Sequence, residues 1–185
     1  MKYKQELKKI IEETPELMTL LQLINSLGLK DWALCAGTIR NLVWCQLTQR
    51  PYSILQNNID VLYSDHSESY EQYLTKQAII SQKNSTCLWN FQNAALNAAD
   101  SGAPYGKNLL TAISSIPETC SAVGIRLENM QVKIIAPYGL DDLFNFEAHP
   151  TSSFMNDPKK LQLYRRRMLR KNWPQNWSEA IIFDN

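Results

Sequence analysis

The apolar residues of the first fifty positions are spaced first as in helices, then as in a strand, then as in a helix again. The pattern predicts a helix over residues 3–13 and a second one from Pro15, with Thr14 as its N-cap, to near Gly28. DWALCAG indicates a short buried strand that runs into a turn at Gly37. A helix follows in TIRNLVWCQL, whose apolar side is formed by Ile39, Leu42, Val43 and Leu47.

The rest of the chain alternates in the same way and then forms a hairpin. IDVLY indicates a strand, residues 67–80 a helix, TCLWNFQNAAL a strand and NLLTAISSI a short helix. AVGIRLENMQVKIIAPYG indicates two strands joined at Glu128-Asn129. These elements predict an α/β (α+β) fold, a mixed β-sheet with helices packed against it. We expect a single domain over residues 1–185, with an N-terminal helical portion over residues 1–30.

Composition is that of a globular protein without a membrane segment. The chain has 185 residues, of which 44% are hydrophobic and 20% are charged. Its longest apolar stretch, residues 17–29, is interrupted by polar side chains. The charged N-terminus lacks the hydrophobic segment of a signal peptide. We therefore expect a cytoplasmic protein that does not contact a membrane.

The cysteines and histidines do not have the spacing of a structural zinc site. Such a site needs closely paired ligands, and this chain has no CxxC pair and only two histidines. The sequence favours reduced, buried thiols that act as small apolar residues. The four cysteines are Cys35, Cys45, Cys87 and Cys120.

The net charge of +1 conceals a basic segment near the C-terminus. Residues 158–173 contain seven lysines or arginines and no acid, which makes them a candidate surface for phosphate or nucleic acid. The alternative is a basic C-terminal helix that packs Leu161, Tyr164 and Met168 inward and leaves its arginines in solvent. We favour this structural role, because short runs of charge are usually solvated helix faces.

The strand in NNIDVLYSD places Asn58 and Asp60 on one face, while Ile59 and Val61 point into the fold. Two carboxylates in this arrangement would bind a hard divalent cation such as Mg²⁺. The first of the two positions carries an amide here. The strand therefore has the form of a metal-binding strand with one carboxylate missing.

The turn before the third helix has a composition that suits a phosphate. The small residues Ala36 and Gly37 allow close approach to the backbone, and the helix N-terminus that follows favours negative charge. Arg40 lies one turn into that helix, where a guanidinium could bind a phosphate with two hydrogen bonds. The spacing alone is weak evidence, because Gly37 could serve a tight turn and Arg40 a surface salt bridge.

Six segments, in order, resemble the bacterial nucleotidyltransferase-like family of the DNA polymerase β-like nucleotidyltransferase superfamily. They are AGTIRNLVW, NNIDVLY, LWNFQNAA, AVGIRLE, VKIIAPYGLDDLF and YRRRMLRKNW, and the similarity extends from about Trp32 to Trp173. The resemblance implies a mixed sheet, a glycine turn that holds nucleotide phosphates, and acids on two neighbouring strands that hold Mg²⁺. It further implies that an acceptor hydroxyl attacks the α-phosphorus of a nucleoside triphosphate and releases pyrophosphate.

The chain departs from the family pattern at its acids. The family has an aspartate-any-aspartate pair where this chain has Asn58 and Asp60, and a third acid near the position of Asn90. Cys45 stands where relatives usually carry an acid. The resemblance thus gives Asp60, Asn58 and Asn90 as catalytic positions, with Asp60 and Asn58 as the metal ligands. The nucleotide-binding positions are Ala36, Gly37, Arg40 and Asn41.

We expect these residues to converge in a solvent-accessible cleft beside Gly37. Because the catalytic acids are replaced, we expect transfer to an unknown acceptor to be weakened or lost. Asp65, Asp141 and Asp142 are spare acids that could compensate, although the last two could instead cap a helix. A non-catalytic nucleotide-binding or regulatory protein, and a nucleic-acid-associated protein that uses the basic helix, remain open alternatives.

Overall fold

The computed structural model describes residues 2–96 and 108–184. Its strands are β1 (Trp32–Cys35), β2 (Asn58–Tyr63), β3 (Leu88–Asn93), β4 (Gly124–Glu128), β5 (Gln131–Ile135), β6 (Glu147–Ala148) and β7 (Ile181–Ile182). Its helices are α1 (Lys4–Glu12), α2 (Pro15–Ser26), α3 (Gly37–Leu47), α4 (Tyr70–Lys83), α5 (Leu109–Ser114), α6 (Asp141–Phe144), α7 (Ser152–Met155), α8 (Pro158–Lys171) and α9 (Trp173–Asn176). None of these helices is long and apolar enough to cross a membrane.

The first five strands form one mixed sheet in the order β3-β2-β1-β4-β5. Strand β2 is antiparallel to β1 and parallel to β3, and the remaining pairs are antiparallel. The parallel pair is connected through α4, as a parallel connection requires a crossover. The sheet confirms the predicted fold class.

Two separate clusters of apolar side chains cover the two faces of the sheet. The larger contains residues of α1, α2 and α3 together with Leu34, Ile59 and Val61. The smaller contains Ala33, Cys35 and Leu62 and is closed by residues of α5. Because alternate residues of a strand face opposite ways, Asp60 lies on the same face as Leu62 and the smaller cluster.

Strand register brings three residues into one row across the sheet. Asp60 is paired with Cys35 of β1 on one side and with Asn90 of β3 on the other. Paired residues on neighbouring strands project from the same face of the sheet. The row therefore places a carboxylate between a buried thiol and an amide, on the less covered face.

Several element boundaries differ from the predictions for local reasons. The hairpin turns at Asn129-Met130 rather than at Glu128-Asn129, because both turn residues adopt positive φ and Glu128 still pairs with Gln131. Helix α4 begins after Ser69, whose hydroxyl accepts from the backbone of the third helical residue in a capping box.

The basic helix is shorter than the predicted span of residues 158–173. Helix α8 ends at Lys171, because Asn172 adopts the left-handed conformation and interrupts the helix before Trp173. Tyr164 and Met168 are buried, as predicted, and Leu161 is partly buried against the core. The C-terminal segment is therefore anchored on the domain through its apolar side.

We predict that Gly124→Ala destabilises the fold by about 1–3 kcal/mol through overpacking. A Cβ at this position would lie 2.7 Å from Ile113 Cδ1, 3.1 Å from Ala33 Cβ and 3.3 Å from Cys35 Sγ. Gly37→Ala is the matched control, because the nearest heavy atom to its Cβ, on Arg40, lies 3.8 Å away. Urea unfolding of both variants measures the difference, and equal midpoints would contradict the predicted crowding at Gly124.

Candidate functional site

A polar cleft with two lobes surrounds Asp60. The strand lobe has a volume of about 280 Å³ and the turn lobe about 270 Å³. Residues found only in the strand lobe are Cys35, Leu62, Asn90, Gln92, Ile116 and Pro117. Those found only in the turn lobe are Gly37, Arg40, Asn41, Gln56 and Asn57. Five residues line both lobes: Ala36, Asn58, Asp60, Arg167 and Lys171.

The cleft brings together all seven positions that the sequence singled out. Asn58 and Asp60 lie where the two lobes meet, and Asn90 contributes to the strand lobe. The turn at Ala36 and Gly37 lies beside them at the start of α3. This placement is the one expected from the sequence, and the chemical role of each residue is taken up below as a proposal.

The unusual backbone of the turn belongs to Ala36 rather than to Gly37. Ala36 has φ 60° and ψ −126°, a conformation that costs a residue with a side chain of order 1–3 kcal/mol. Gly37, by contrast, is the first residue of α3 and has no positive φ. The expected glycine turn therefore has its strain one residue earlier, at a residue that lines both lobes.

Hydrogen bonds fix the first turn of α3 against the start of β2. Thr38 Oγ1 donates to the backbone carbonyl of Asn58 at 3.0 Å, and Asn41 Nδ2 donates to Asn57 Oδ1. These bonds determine how the turn and the Asp60 strand lie relative to each other. Both walls of the turn lobe are thus held by side chains within the cleft.

Arg40 is buried beneath the turn lobe, so it does not form the surface salt bridge considered as an alternative. Its guanidinium is 4.1 Å from the ring centre of Trp173 and 5.4 Å from that of Trp44. It donates to Ser121 Oγ and Asn41 Oδ1, each at 2.8 Å. Only 5% of the surface of Arg40 is exposed. Its role is therefore limited to supplying positive charge to the turn lobe and packing beneath it.

A row of amides leads from the strand lobe to the carboxylate. Gln92 Nε2 donates to Asn90 Oδ1 at 3.3 Å, and Asn90 Nδ2 donates to Asp60 Oδ1 at 2.7 Å. Gln92 Oε1 is buried and accepts no hydrogen bond from a described group. The row orients Asn90 as a hydrogen-bond donor toward Asp60 and leaves Gln92 Oε1 as an acceptor at the end remote from Asp60.

Arg167 and Lys171 are functional candidates that we did not predict from the sequence. They lie four residues apart on α8, which places them on one helix face. Arg167 forms an ion pair with Glu118, a fully buried carboxylate. The prediction that the arginines of this helix are all solvated is therefore wrong at Arg167, while Arg165, Arg166 and Arg170 are exposed.

Burial and neighbouring charges shift the pKa values of the ionisable groups in the cleft. Burial raises the pKa of Asp60, and the hydrogen bond from Asn90 and the charges of Arg167 and Lys171 oppose that rise. Burial also lowers the pKa of Lys171, and the nearby Arg167 and Arg40 lower it further. The neighbouring Cys35 remains a neutral thiol, because burial raises its pKa.

The donor set around Asp60 does not fit a magnesium site. Mg²⁺ requires near-octahedral oxygen ligands and is usually held by carboxylates. Here a single carboxylate lines the described cleft, and the amide nitrogen of Asn90 is directed at it. The cations Arg167 and Lys171, which line both lobes with it, would also repel a divalent ion.

The spare acids do not complete the site. Asp65 forms an ion pair with Lys30 at 3.0 Å and lines neither lobe. Asp141 and Asp142 lie in the first turn of α6, where they form no side-chain cap, and they line neither lobe. Their expected capping role is thus replaced by favourable charge at the helix start.

One other group of metal-ligand types occurs in the described part of the chain. Ligand atoms of Asp142, Glu147 and His149 all lie within 4.8 Å of one another. The His149 ring stacks on Phe183, with 4.0 Å between ring centres. None of the three lines the cleft, so they do not supply its missing carboxylates.

Comparison with known proteins identifies the family. A family model described as "Nucleotidyltransferase" matches residues 22–182. The chain belongs to the nucleotidyltransferase family. This result confirms the resemblance found in the sequence segments.

A solved structure resembles this nucleotidyltransferase-family protein over its whole length. That structure is described as "The NMR structure of the protein reveals a CCA-adding enzyme head domain". It is 32% identical, matches with a TM-score of 0.87, and the alignment covers 100% of this chain and 98% of that one. No curated protein matches the sequence.

We predict that Asp60→Asn stabilises the folded protein at pH 7. The pKa of Asp60 is raised above 3.8 on folding, so its ionised form disfavours the folded state above that range. The extra stability of the variant over wild type should disappear as pH falls through the raised pKa toward 3.8, because wild-type Asp60 then becomes protonated. Urea unfolding at several pH values measures this effect.

Asp65→Asn is a control with the opposite sign. Ser67 and Lys30 lower the pKa of Asp65 to about 2, so its ionised form stabilises the folded state. This variant should lose stability at pH 7, and the loss should shrink as pH falls from 3.8 toward 2. A destabilised Asp60→Asn at pH 7 would show that burial does not dominate the energetics of this carboxylate.

Proposed function

We propose that this protein binds a nucleoside triphosphate in the two-lobed cleft and that its nucleotidyl transfer is weakened or lost. One observation carries the proposal: Asp60, the carboxylate of the cleft, lies where both lobes meet, in a lining that includes two amides at the expected acid positions and two cations. Amides at the positions of Asn58 and Asn90 leave hydrogen bonding in place but remove the anionic ligands. The family membership supports a nucleotide as the ligand.

The two lobes correspond to two substrates. The turn lobe offers the start of α3, the small residues of the turn and the charge of Arg40, which favour a phosphorylated donor. The strand lobe offers Leu62 and Ile116 together with the amides of Asn90 and Gln92. This mixture suits an acceptor that carries both apolar and hydrogen-bonding groups.

Transfer would require few groups from the protein. The acceptor oxygen forms a bond to the α-phosphorus while the bond to the bridging oxygen breaks, and pyrophosphate leaves with that electron pair. Asp60 is placed to accept the hydroxyl proton, and Arg167 and Lys171 to neutralise charge on the leaving group. Loss of metal assistance worth several kcal/mol would slow this step by roughly a thousandfold.

A non-catalytic nucleotide-binding or regulatory protein is the second candidate. It is favoured by the same amides, because binding requires hydrogen bonds and positive charge but no metal-bound nucleophile. Association with nucleic acid would involve the neighbouring face of α8, where Arg166 and Arg170 are exposed. Such binding should weaken steeply with salt, because each neutralised phosphate releases counterions.

We predict that calorimetry detects binding of at least one nucleoside triphosphate, and that the matching nucleoside binds more weakly. The difference should be about tenfold or more, because the phosphates provide charge-assisted hydrogen bonds. The panel contains ATP, GTP, CTP and UTP, with and without Mg²⁺. Absence of binding by all four under both conditions would contradict the proposed function.

We predict that the double change Asn58→Asp with Asn90→Asp introduces or raises Mg²⁺-dependent release of pyrophosphate. Three carboxylates can displace part of the hydration shell of Mg²⁺, whereas one carboxylate with two amides cannot do so effectively. Asp60→Asn added to the double change is the control and should abolish the gain. If wild type releases pyrophosphate rapidly and the double change adds nothing, the two asparagines are not replaced metal ligands.

A further inference from the structure

We infer that the cleft binds an oligophosphate directly through Arg167 and Lys171 of the C-terminal helix, without a divalent cation as a bridge. The inference rests on the proposed function and specifies how its ligand is recognised. It reassigns the phosphate-binding role expected for Arg40 to two residues more than a hundred positions later in the chain.

The two side chains have the position that this role requires. Both line the strand lobe and the turn lobe, so each reaches the junction of the lobes where Asp60 lies. Their spacing of four residues places them one turn apart on the same side of α8. An anion at the junction would thus be within the reach of a guanidinium and an ammonium group together.

A buried carboxylate holds Arg167 in place, and buried contacts support the helix end that carries the exposed Lys171. Glu118 has no exposed surface and pairs with Arg167 Nε, which fixes the direction of that guanidinium. Arg40 lies against Trp173, the first residue of α9, just beyond the end of α8. The end of α8 that carries Lys171 is therefore supported by a buried stack rather than by solvent-exposed contacts.

The cleft also has an excess of positive charge. Arg40, Arg167 and Lys171 line it, and Asp60 is the acid among the described lining residues. Glu118 compensates Arg167 from beneath, which leaves more positive than negative charge facing the lobes. Burial is the main cause of the lowered pKa of Lys171, and the further lowering by Arg167 and Arg40 is in accord with this imbalance.

An oligophosphate matches this arrangement better than a metal-bound group does. The planar donors of arginine suit two phosphate oxygens at once, and lysine supplies a compact charge for a neighbouring phosphate. A divalent cation would instead meet the donating amide of Asn90 and two cations around a single carboxylate. Both the tail of a nucleoside triphosphate and free pyrophosphate have the required chemistry.

The test is isothermal titration of the full chain with ATP and with pyrophosphate, each in excess EDTA and in Mg²⁺. ATP should bind in EDTA with a Kd within about threefold of the value in Mg²⁺. Lys171→Gln should weaken binding in EDTA by about tenfold or more, as loss of a charge-assisted hydrogen bond implies. Arg166→Gln and Arg170→Gln remove the same charge from positions of α8 that line neither lobe, and they should change the Kd by less than about threefold.

Arg167 needs a paired design, because its removal alone would leave Glu118 as an uncompensated buried charge. The double variant Arg167→Gln with Glu118→Gln removes both charges, and Glu118→Gln alone is its control. The double variant should bind ATP at least about tenfold more weakly than that control. Thermal unfolding of each variant establishes that it is folded before titration.

The outcomes separate this inference from the proposed function. Binding of ATP that requires Mg²⁺, or that Lys171→Gln and Arg170→Gln weaken equally, overturns the inference and leaves the proposed function standing. Pyrophosphate binding in EDTA without binding of any nucleoside triphosphate supports the cation site and overturns the proposed function. Binding of neither ligand overturns both.

Discussion

Two buried charges, Arg40 and Glu118, together with the half-buried Arg167 connect the C-terminal helices to the rest of the domain. Arg40 lies against the rings of Trp44 and Trp173, and Glu118 pairs with Arg167 without exposure to solvent. Buried charges are costly unless they are paired or hydrogen-bonded, so such a group tolerates few alternative arrangements. The position of the cations in the cleft, and with it the shape of both lobes, depends on this group.

Most of the fold was predictable because its elements have regular hydrophobic spacing. The strands that contain Leu34, Val61 and Ile125 are short apolar runs between polar turns, and each forms near its expected bounds. Asn58 and Asp60 were placed from strand alternation and family resemblance, and the structure brings them beside the turn as expected. The local sequence was sufficient to place a side chain wherever its direction followed from alternation within its own strand.

The remaining features depend on contacts between distant segments. The burial of Arg40 requires Trp173, which is far away in the sequence. Arg167 and Lys171 do continue the inward stripe of Tyr164 and Met168 at helical spacing. Their helical spacing thus indicated an inward position. We nevertheless predicted that the arginines of this helix lie in solvent, because they are charged. The strain at Ala36 was not predictable, because alanine rarely adopts positive φ and only the surrounding structure imposes it.

The amides and the two cations of the cleft act in the same electrostatic direction. Asn58 and Asn90 bring no negative charge near Asp60, while Arg167 and Lys171 add positive charge to the same cleft. A site with this balance attracts phosphate oxygens and repels divalent ions. The nucleotidyltransferase fold therefore occurs here together with a cleft whose described lining carries more cations than acids.

The position of the α8 cations in the same cleft as Asp60 also has a consequence for folding and synthesis. The two parts of the cleft are separated by about a hundred residues, so their contact forms only after a long loop has closed. A growing chain that still lacks α8 presents Asp60 without these two cations. Ligand would favour the state in which α8 is docked, and local opening of this helix would be suppressed before that of the central strands. A ligand bound in the cleft would therefore indicate that α8 is docked on the domain.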